Sequence, residues 1–142
     1  MNQKVKMRFA ESNDLDFCIN MDYKHVKKAL IKRNIEDKLI ILAEFDGNPV
    51  GYLRIEYLWL IIPYISLIIV VDRYRKQGIG TAMIQFLGDY LIKNGQKVLY
   101  SSSQVNEPEP QAWHRKVGFK ECGYIAGINE RDIGEVFFRK VF

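Results

Sequence analysis

Cysteine, proline and long apolar runs are all scarce in this chain. Its 142 residues hold two cysteines and four prolines. Cys18 and Cys122 stand far apart, with no CxxC and no adjacent histidine, so they form neither a disulfide framework nor a metal-ligand spacing and read as small buried residues. No metal site is expected. The most apolar stretch, 58–71, is shorter than the roughly 20 residues of a spanning helix, and Pro63 interrupts it. It reads as a buried strand and its approach, with no membrane partner. The opening Met1-Asn-Gln-Lys-Val-Lys lacks the apolar core of a signal peptide, which points to a cytoplasmic protein. Repeats, low-complexity tracts and linker-like stretches are missing too, so residues 1–142 are expected to form a single domain. Negative charge is absent in one place: no Asp or Glu occurs from Arg73 to Phe86.

What is present is the composition of an ordinary folded protein, 48% hydrophobic and 27% charged, which excludes a disordered chain. The net charge of +4 suits an anionic ligand. Acidic residues are interspersed with the basic ones and no long Lys/Arg block marks a nucleic-acid face, so none is expected as a partner.

Hydrophobic patterning gives the order β–α–α–β–β–β–α–β–α–β–β. Residues 12–38 read as helical, with Ser12 or Asn13 as cap and Phe17, Met21 and Ala29 among the apolar positions. The runs 39–45 and 50–55, joined by Asp46-Gly47, read as a hairpin. After a buried strand at 65–71, Ile79, Ala82, Met83, Phe86, Leu87, Tyr90 and Leu91 recur at helical spacing, opposite Thr81, Gln85 and Asp89. Asn94-Gly95 stops that helix, and 97–102 is the next strand. Strand, crossover helix and strand imply parallel pairing. Asn106 reads as the cap of a helix carrying Pro108 in its first turn and ending at Gly118. Strands at 124–128 and 135–142 close the chain around a polar turn beginning at Asn129.

Between the strand and the amphipathic helix lies Arg75-Lys76-Gln77-Gly78-Ile79-Gly80. A strand that hands over to a helix through such a turn leaves the helix's first N–H groups without intrahelical acceptors and its positive dipole end open to an anion. Acidic residues, the usual complement to that end, are missing here. Spacing excludes a nucleotide-triphosphate loop, which needs G-x-x-x-x-G-K-[ST], and a dinucleotide fingerprint, which needs a third glycine where Met83 stands.

The R-x-x-G-x-G turn, prefaced by Val70-Val71-Asp72-Arg73-Tyr74, resembles the acetyl-CoA pyrophosphate loop of the GNAT superfamily of N-acetyltransferases. Other segments agree in order: Met7-Arg8-Phe9-Ala10 before Asp14-Leu15, the 39–55 hairpin, and Asn106 followed by Ala112-Trp113-His114-Arg115-Lys116-Val117-Gly118-Phe119. The resemblance implies an α/β fold with a mixed, largely antiparallel central sheet flanked by helices on both faces. It also implies acetyl-CoA as co-substrate. Arg75, Lys76, Gln77, Gly78, Ile79, Gly80 and Thr81 would then hold the pyrophosphate, the backbone of Ile69, Val70 and Val71 would pair with pantetheine, and Asn106 would reach pantetheine from the other side.

The implied reaction is direct attack of a primary amine, on a small molecule or peptide, at the thioester. His114 takes the place where the family usually presents a tyrosine acid, and an imidazole can protonate a departing thiolate. Its other reading is a cation at a helix C-terminus. Glu56, at a strand end, is the candidate base and the only acid expected near the 57–64 segment. Tyr57, Trp59 and Tyr64 of that segment are candidates for shaping the acceptor pocket or, alternatively, a homodimer surface. With so few acids there, the acceptor is expected to carry one amine on an apolar or aromatic body. The competing reading is an acyl-CoA-binding or sensing module without turnover.

Overall fold

The computed structural model describes residues 4–142; the part of the signal-peptide reading that falls on residues 1–3 lies outside them. The strands are β1 (Val5–Phe9), β2 (Ile40–Phe45), β3 (Asn48–Leu58), β4 (Ile62–Val70), β5 (Val98–Gln104), β6 (Lys120–Ile125) and β7 (Glu135–Val141). The helices are α1 (Leu15–Met21), α2 (Lys28–Glu36), α3 (Ile79–Lys93) and α4 (Pro108–Lys116). This is the element order expected. The strands form one mixed sheet in the order β1-β2-β3-β4-β5-β7-β6. The β1–β2, β2–β3, β5–β7 and β6–β7 ladders are antiparallel, while β4 and β5 pair in parallel at Tyr64↔Tyr100. Contacts divide the described residues into two compact units, one comprising those up to Ile55 with Leu67–Tyr90 and the other Glu56–Ser66 with Leu91–Phe142.

In the first unit the 39–55 hairpin closes through Asp46 and Gly47, both at positive φ (50° and 83°), the twist-matched two-residue turn that Asp-Gly favours. Gly51 on β3 permits a close approach of α3: a Cβ there would stand 2.9 Å from Met83 Sδ and 3.0 Å from the Ala43 Cβ. The expected α3 stripe is borne out at Ile79, Met83 and Leu87, with Ile84 buried beside them. Two expectations for 12–38 are corrected. Its entry is organised by Asp14, which accepts from the Glu11 N–H at 2.7 Å and pairs with Arg8, rather than by a Ser12 or Asn13 cap. The segment divides into two helices as the β–α–α order expects, but in α2 the one-turn pair Ile31 and Ile35 turns inward while Ala29, read as an apolar position, is exposed.

A buried ionic cluster ties the end of α1 to β3. Asp22 accepts from Tyr52 Oη at 2.5 Å, from Arg54 Nε at 2.6 Å and from the Tyr23 N–H at 2.7 Å. Burial opposes the charged carboxylate, but the donors outweigh it and hold the Asp22 pKa below its ordinary value. Cys18 is fully buried, and burial pushes its thiol up to about 12, so it is inert.

In the second unit α3 ends where Asn94-Gly95 was expected to stop it: the Gln96 N–H reaches Leu91 O at 2.9 Å and the Gly95 N–H reaches Ile92 O at 3.0 Å. Gly118 closes α4 in the same way, with Phe119 N–H on His114 O and Gly118 N–H on Arg115 O. Four readings are corrected here. Asn106 does not cap α4, which begins at Pro108 behind Glu107. The Gly118 closure delivers the chain straight into β6, so that strand starts at Lys120, not Tyr124. Every residue of β6 is exposed, Cys122 among them. The stretch 58–71 is not buried throughout, because β3 and β4 meet in a two-residue turn whose Trp59 and Leu60 are 82% and 91% exposed. Both have positive φ, 52° and 68°.

Candidate active site

The glycine turn belongs to the first unit. A short 3-10 turn, Asp72–Tyr74, follows β4, and the Tyr74 ring packs on Phe45 with centroids 5.3 Å apart. Arg75 Nε donates to Val70 O at 2.9 Å. Lys76 and Gly78 have φ of 62° and 81°, so the chain reverses handedness twice within three residues before α3 begins. Around Gly78 a Cβ would meet nothing within 4 Å, which leaves the approach to the helix end open. The Ala82 N–H bonds to Gly78 O at 3.0 Å, so the N–H groups of Ile79, Gly80 and Thr81 are the ones that helical geometry leaves for an external acceptor. No acid stands in that first turn. This donor set fits a diphosphate: N–H groups at a helix end, a helix dipole, and the exposed side chains of Lys76 and of Arg75, which pairs with Asp72 at 3.2 Å. Ile69 and Val70 end β4, and the Val71 N–H bonds to Val50 O at 2.8 Å.

The second unit carries a polar constellation that spans three neighbouring strands. Tyr64 of β4 and Ser102 of β5 share a hydrogen bond of 2.6 Å between hydroxyls. Ser102 donates to Glu135 Oε2 of β7, also at 2.6 Å. Asn129 Nδ2 donates to the other oxygen, Oε1, at 2.9 Å, and the Tyr64 ring stacks on Phe137 at 5.8 Å. Ser66, two residues along β4 and therefore on the same face as Tyr64, donates to Glu56 Oε2. Glu56 is thus not the only acid beside this segment, as the sequence reading had it. Ser102 and Asn129 were missed as site residues, and Glu135 was read only as a fallback acid beside Glu130 and Asp132, because the fold brings them to Tyr64 from 38 to 71 positions away. The one signal was a polar Ser-Ser-Ser run in a strand otherwise built to be buried.

His114 lies on α4, 3% exposed. Its ring is parallel to Phe138 at 4.5 Å and edge-on to Phe119. Nδ1 is 2.7 Å from Pro110 O and Nε2 is 2.7 Å from Ser101 Oγ. A carbonyl only accepts, so Nδ1 carries the proton, and in the neutral ring that burial favours Nε2 accepts from Ser101. That is the neutral tautomer with both nitrogens satisfied. Burial pushes the His114 pKa down, with the Pro110 contact working the other way. Of the remaining candidates, Tyr57 is half-buried near the end of β3, Trp59 stands at the exposed turn, and Asn106 is exposed between β5 and α4. Among the described residues no group of three or more His, Cys, Asp and Glu is placed to hold a metal ion, and no helix is long and apolar enough to cross a membrane.

Strand, left-handed glycine turn and helix with an open N-terminus, set in this mixed sheet, define an α/β fold with an anion-accepting helix end. The chain belongs to the Acetyltransferase (GNAT) family, whose model matches residues 9–119. It is similar to an uncharacterized N-acetyltransferase, MJ1207, of Methanocaldococcus jannaschii, 28% identical over 106 residues; the match covers 70% of this chain and 46% of that protein, less than half its length. Among solved structures, a ribosomal-protein-alanine N-acetyltransferase from Brucella melitensis superposes with a TM-score of 0.82 at 20% identity, covering 96% of this chain and 99% of that one. A putative streptothricin acetyltransferase from Bacillus anthracis, in complex with acetyl coenzyme A, superposes with a TM-score of 0.67 at 20% identity over 72% of this chain and 61% of that one.

Proposed function

We propose that this chain transfers an acetyl group from acetyl-CoA to a primary amine carried on an apolar or aromatic body, by direct attack of the amine on the thioester. The observation that carries the reading is the Gly78 turn: an open, acid-free helix N-terminus, in a chain of this family, built where a diphosphate would be held. Arg75, Lys76, Gln77, Gly78, Ile79, Gly80 and Thr81 bind that diphosphate in this reading, chiefly through backbone N–H groups. The backbone of Ile69, Val70 and Val71 offers strand pairing to pantetheine, and Asn106, released from capping duty, has its amide available for the same chain. Acetyl-CoA supplies the activated acyl group.

The acceptor is read from this chain's own residues, since its structural neighbours carry names as different as a ribosomal-protein alanine and streptothricin enzyme. The exposed Trp59 and Leu60 give the acceptor's body an apolar surface, and Tyr57 and Tyr64 flank it along the hairpin. Glu56 and Glu135 attract the ammonium form. His114 serves as scaffold here: protonating it would break the Ser101 donation and charge a buried ring. The test is release of free thiol from acetyl-CoA on addition of a short peptide with a free amino terminus and an aromatic first residue, compared with spermidine. Faster release with spermidine overturns the acceptor reading, and release with neither overturns the activity.

A further inference from the structure

The hydrogen inventory of the Tyr64, Ser102 and Glu135 constellation fixes its direction. An ionised carboxylate only accepts, so the 2.6 Å contact between Ser102 and Glu135 uses the one hydrogen a serine hydroxyl has. The Ser102 oxygen must then accept in its 2.6 Å contact with Tyr64. Tyr64 therefore donates to Ser102 and Ser102 donates to Glu135, with Asn129 holding the far carboxylate oxygen. Each hydroxyl proton already points at its next carrier, and the carboxylate is where the chain stops. We infer that Tyr64, Ser102 and Glu135 form a one-way proton relay that takes the amine's proton to Glu135 during acetyl transfer. The inference rests on the acetyltransferase reading and deepens it by naming where the proton goes.

The step starts from the neutral amine, the ammonium form having first given its extra proton to water, and it then balances without any further reactant. As the acceptor nitrogen bonds to the acetyl carbon, it gives one proton to Tyr64 Oη. The phenol proton passes to Ser102 Oγ, and the Ser102 proton passes to Glu135 Oε2. The C–S bond breaks with its electron pair on sulfur, leaving an amide and a thiolate, and Glu135 holds the proton until water removes it. Only Tyr64 meets the acceptor; Ser102 and Glu135 act through it. The Phe137 stack at 5.8 Å fixes the phenol plane, and the Tyr64↔Tyr100 register pair fixes its height on β5.

The full chain is tested with acetyl-CoA and the aromatic-first peptide, in wild type, Ser102→Ala, Glu135→Gln and the double variant. Glu135→Gln keeps an oxygen for Ser102 to donate to but no site for a proton. Each single variant is expected to lower kcat about 100-fold, the range for a positioned proton acceptor. The KM for acetyl-CoA stays unchanged, and the double variant is no slower than either single one because all break the same chain. In mixed H₂O and D₂O the wild-type rate should curve with deuterium fraction, as transfer of several protons requires, and the variants should lose that curvature. A purely structural role does not produce this. Independently of turnover, the Tyr64 and Ser102 hydroxyl protons should exchange slowly by NMR in the wild type, and that of Tyr64 rapidly in Ser102→Ala. Wild type that releases thiol at a rate the variants match overturns the relay alone, and unprotected hydroxyls in the wild type overturn the hydrogen-bond order. Wild type that releases no thiol overturns the acetyltransferase reading and the relay with it.

Discussion

Met83 Sδ lies 2.9 Å from where a Cβ of Gly51 would be, so the seating of α3 on β3 depends on a missing side chain. The same phantom atom is 3.0 Å from the Ala43 Cβ, which belongs to a neighbouring strand and cannot rotate away. Gly51→Ala should destabilise the chain by about 1–3 kcal/mol through overpacking. Urea unfolding measures it, and Met83→Ala should cost less in the Gly51→Ala background than in the wild type, because it frees the space the new methyl group needs.

Trp59 and Leu60 occupy a turn that demands positive φ at both positions. The pair Trp59→Asn with Leu60→Gly supplies the residues such a turn favours and should raise stability by about 1 kcal/mol. If these apolar residues receive the acceptor, the same variant should raise the acceptor KM at least tenfold and leave that for acetyl-CoA alone. Gained stability with an unchanged acceptor KM would assign the turn some other duty.

Asp22 and His114 make acid sensitivity in two windows. Asp22 has a lowered pKa, because its donors outweigh burial, so its contribution is present above the ordinary aspartate value near 3.9 and is lost as pH falls through the lower folded value. His114 is also lowered, by burial. Its unfolded form binds more protons below about pH 6.5, so stability should begin to fall there and stop falling once pH passes the folded value. Denaturant midpoints from pH 8 to pH 3 should show both declines. His114→Gln should flatten the upper one and Arg54→Met should cost about 3–5 kcal/mol at neutral pH by stranding Asp22.

If His114 is scaffold, folded His114→Gln should turn over within about threefold of wild type, far less than the 100-fold or more expected on losing a positioned acid. Single-turnover rates, corrected for the folded fraction, decide this. A 100-fold loss restores His114 as the proton donor.

Local chemistry made the backbone plan readable. Asp46-Gly47, Asn94-Gly95 and Gly118 each mark a turn by their own conformational freedom, and the α3 stripe follows a period that packing preserves. The glycine turn was readable for the same reason, since an anion site at a helix end is built from consecutive residues. What the sequence hid depends on register. Ser102 and Glu135 are unremarkable strand residues until β4, β5 and β7 align them with Tyr64. The burial of His114 follows from Phe119 and Phe138 closing around it, and no periodicity in a nine-residue helix reports that. Trp59 and Leu60 fell within a stretch read as a buried strand and its approach, because hydrophobicity says nothing about a two-residue turn.

The proposed activity depends on the Gly78 turn holding the diphosphate of acetyl-CoA. Thermal unfolding with acetyl-CoA at one hundred times its dissociation constant should show the folded state stabilised by about 2.7 kcal/mol. Gly80→Glu, which sets a carboxylate among the same N–H groups, should remove that gain while leaving the melting temperature without ligand within a few degrees. A wild-type melting temperature indifferent to acetyl-CoA, or a gain that Gly80→Glu retains, would contradict the claim.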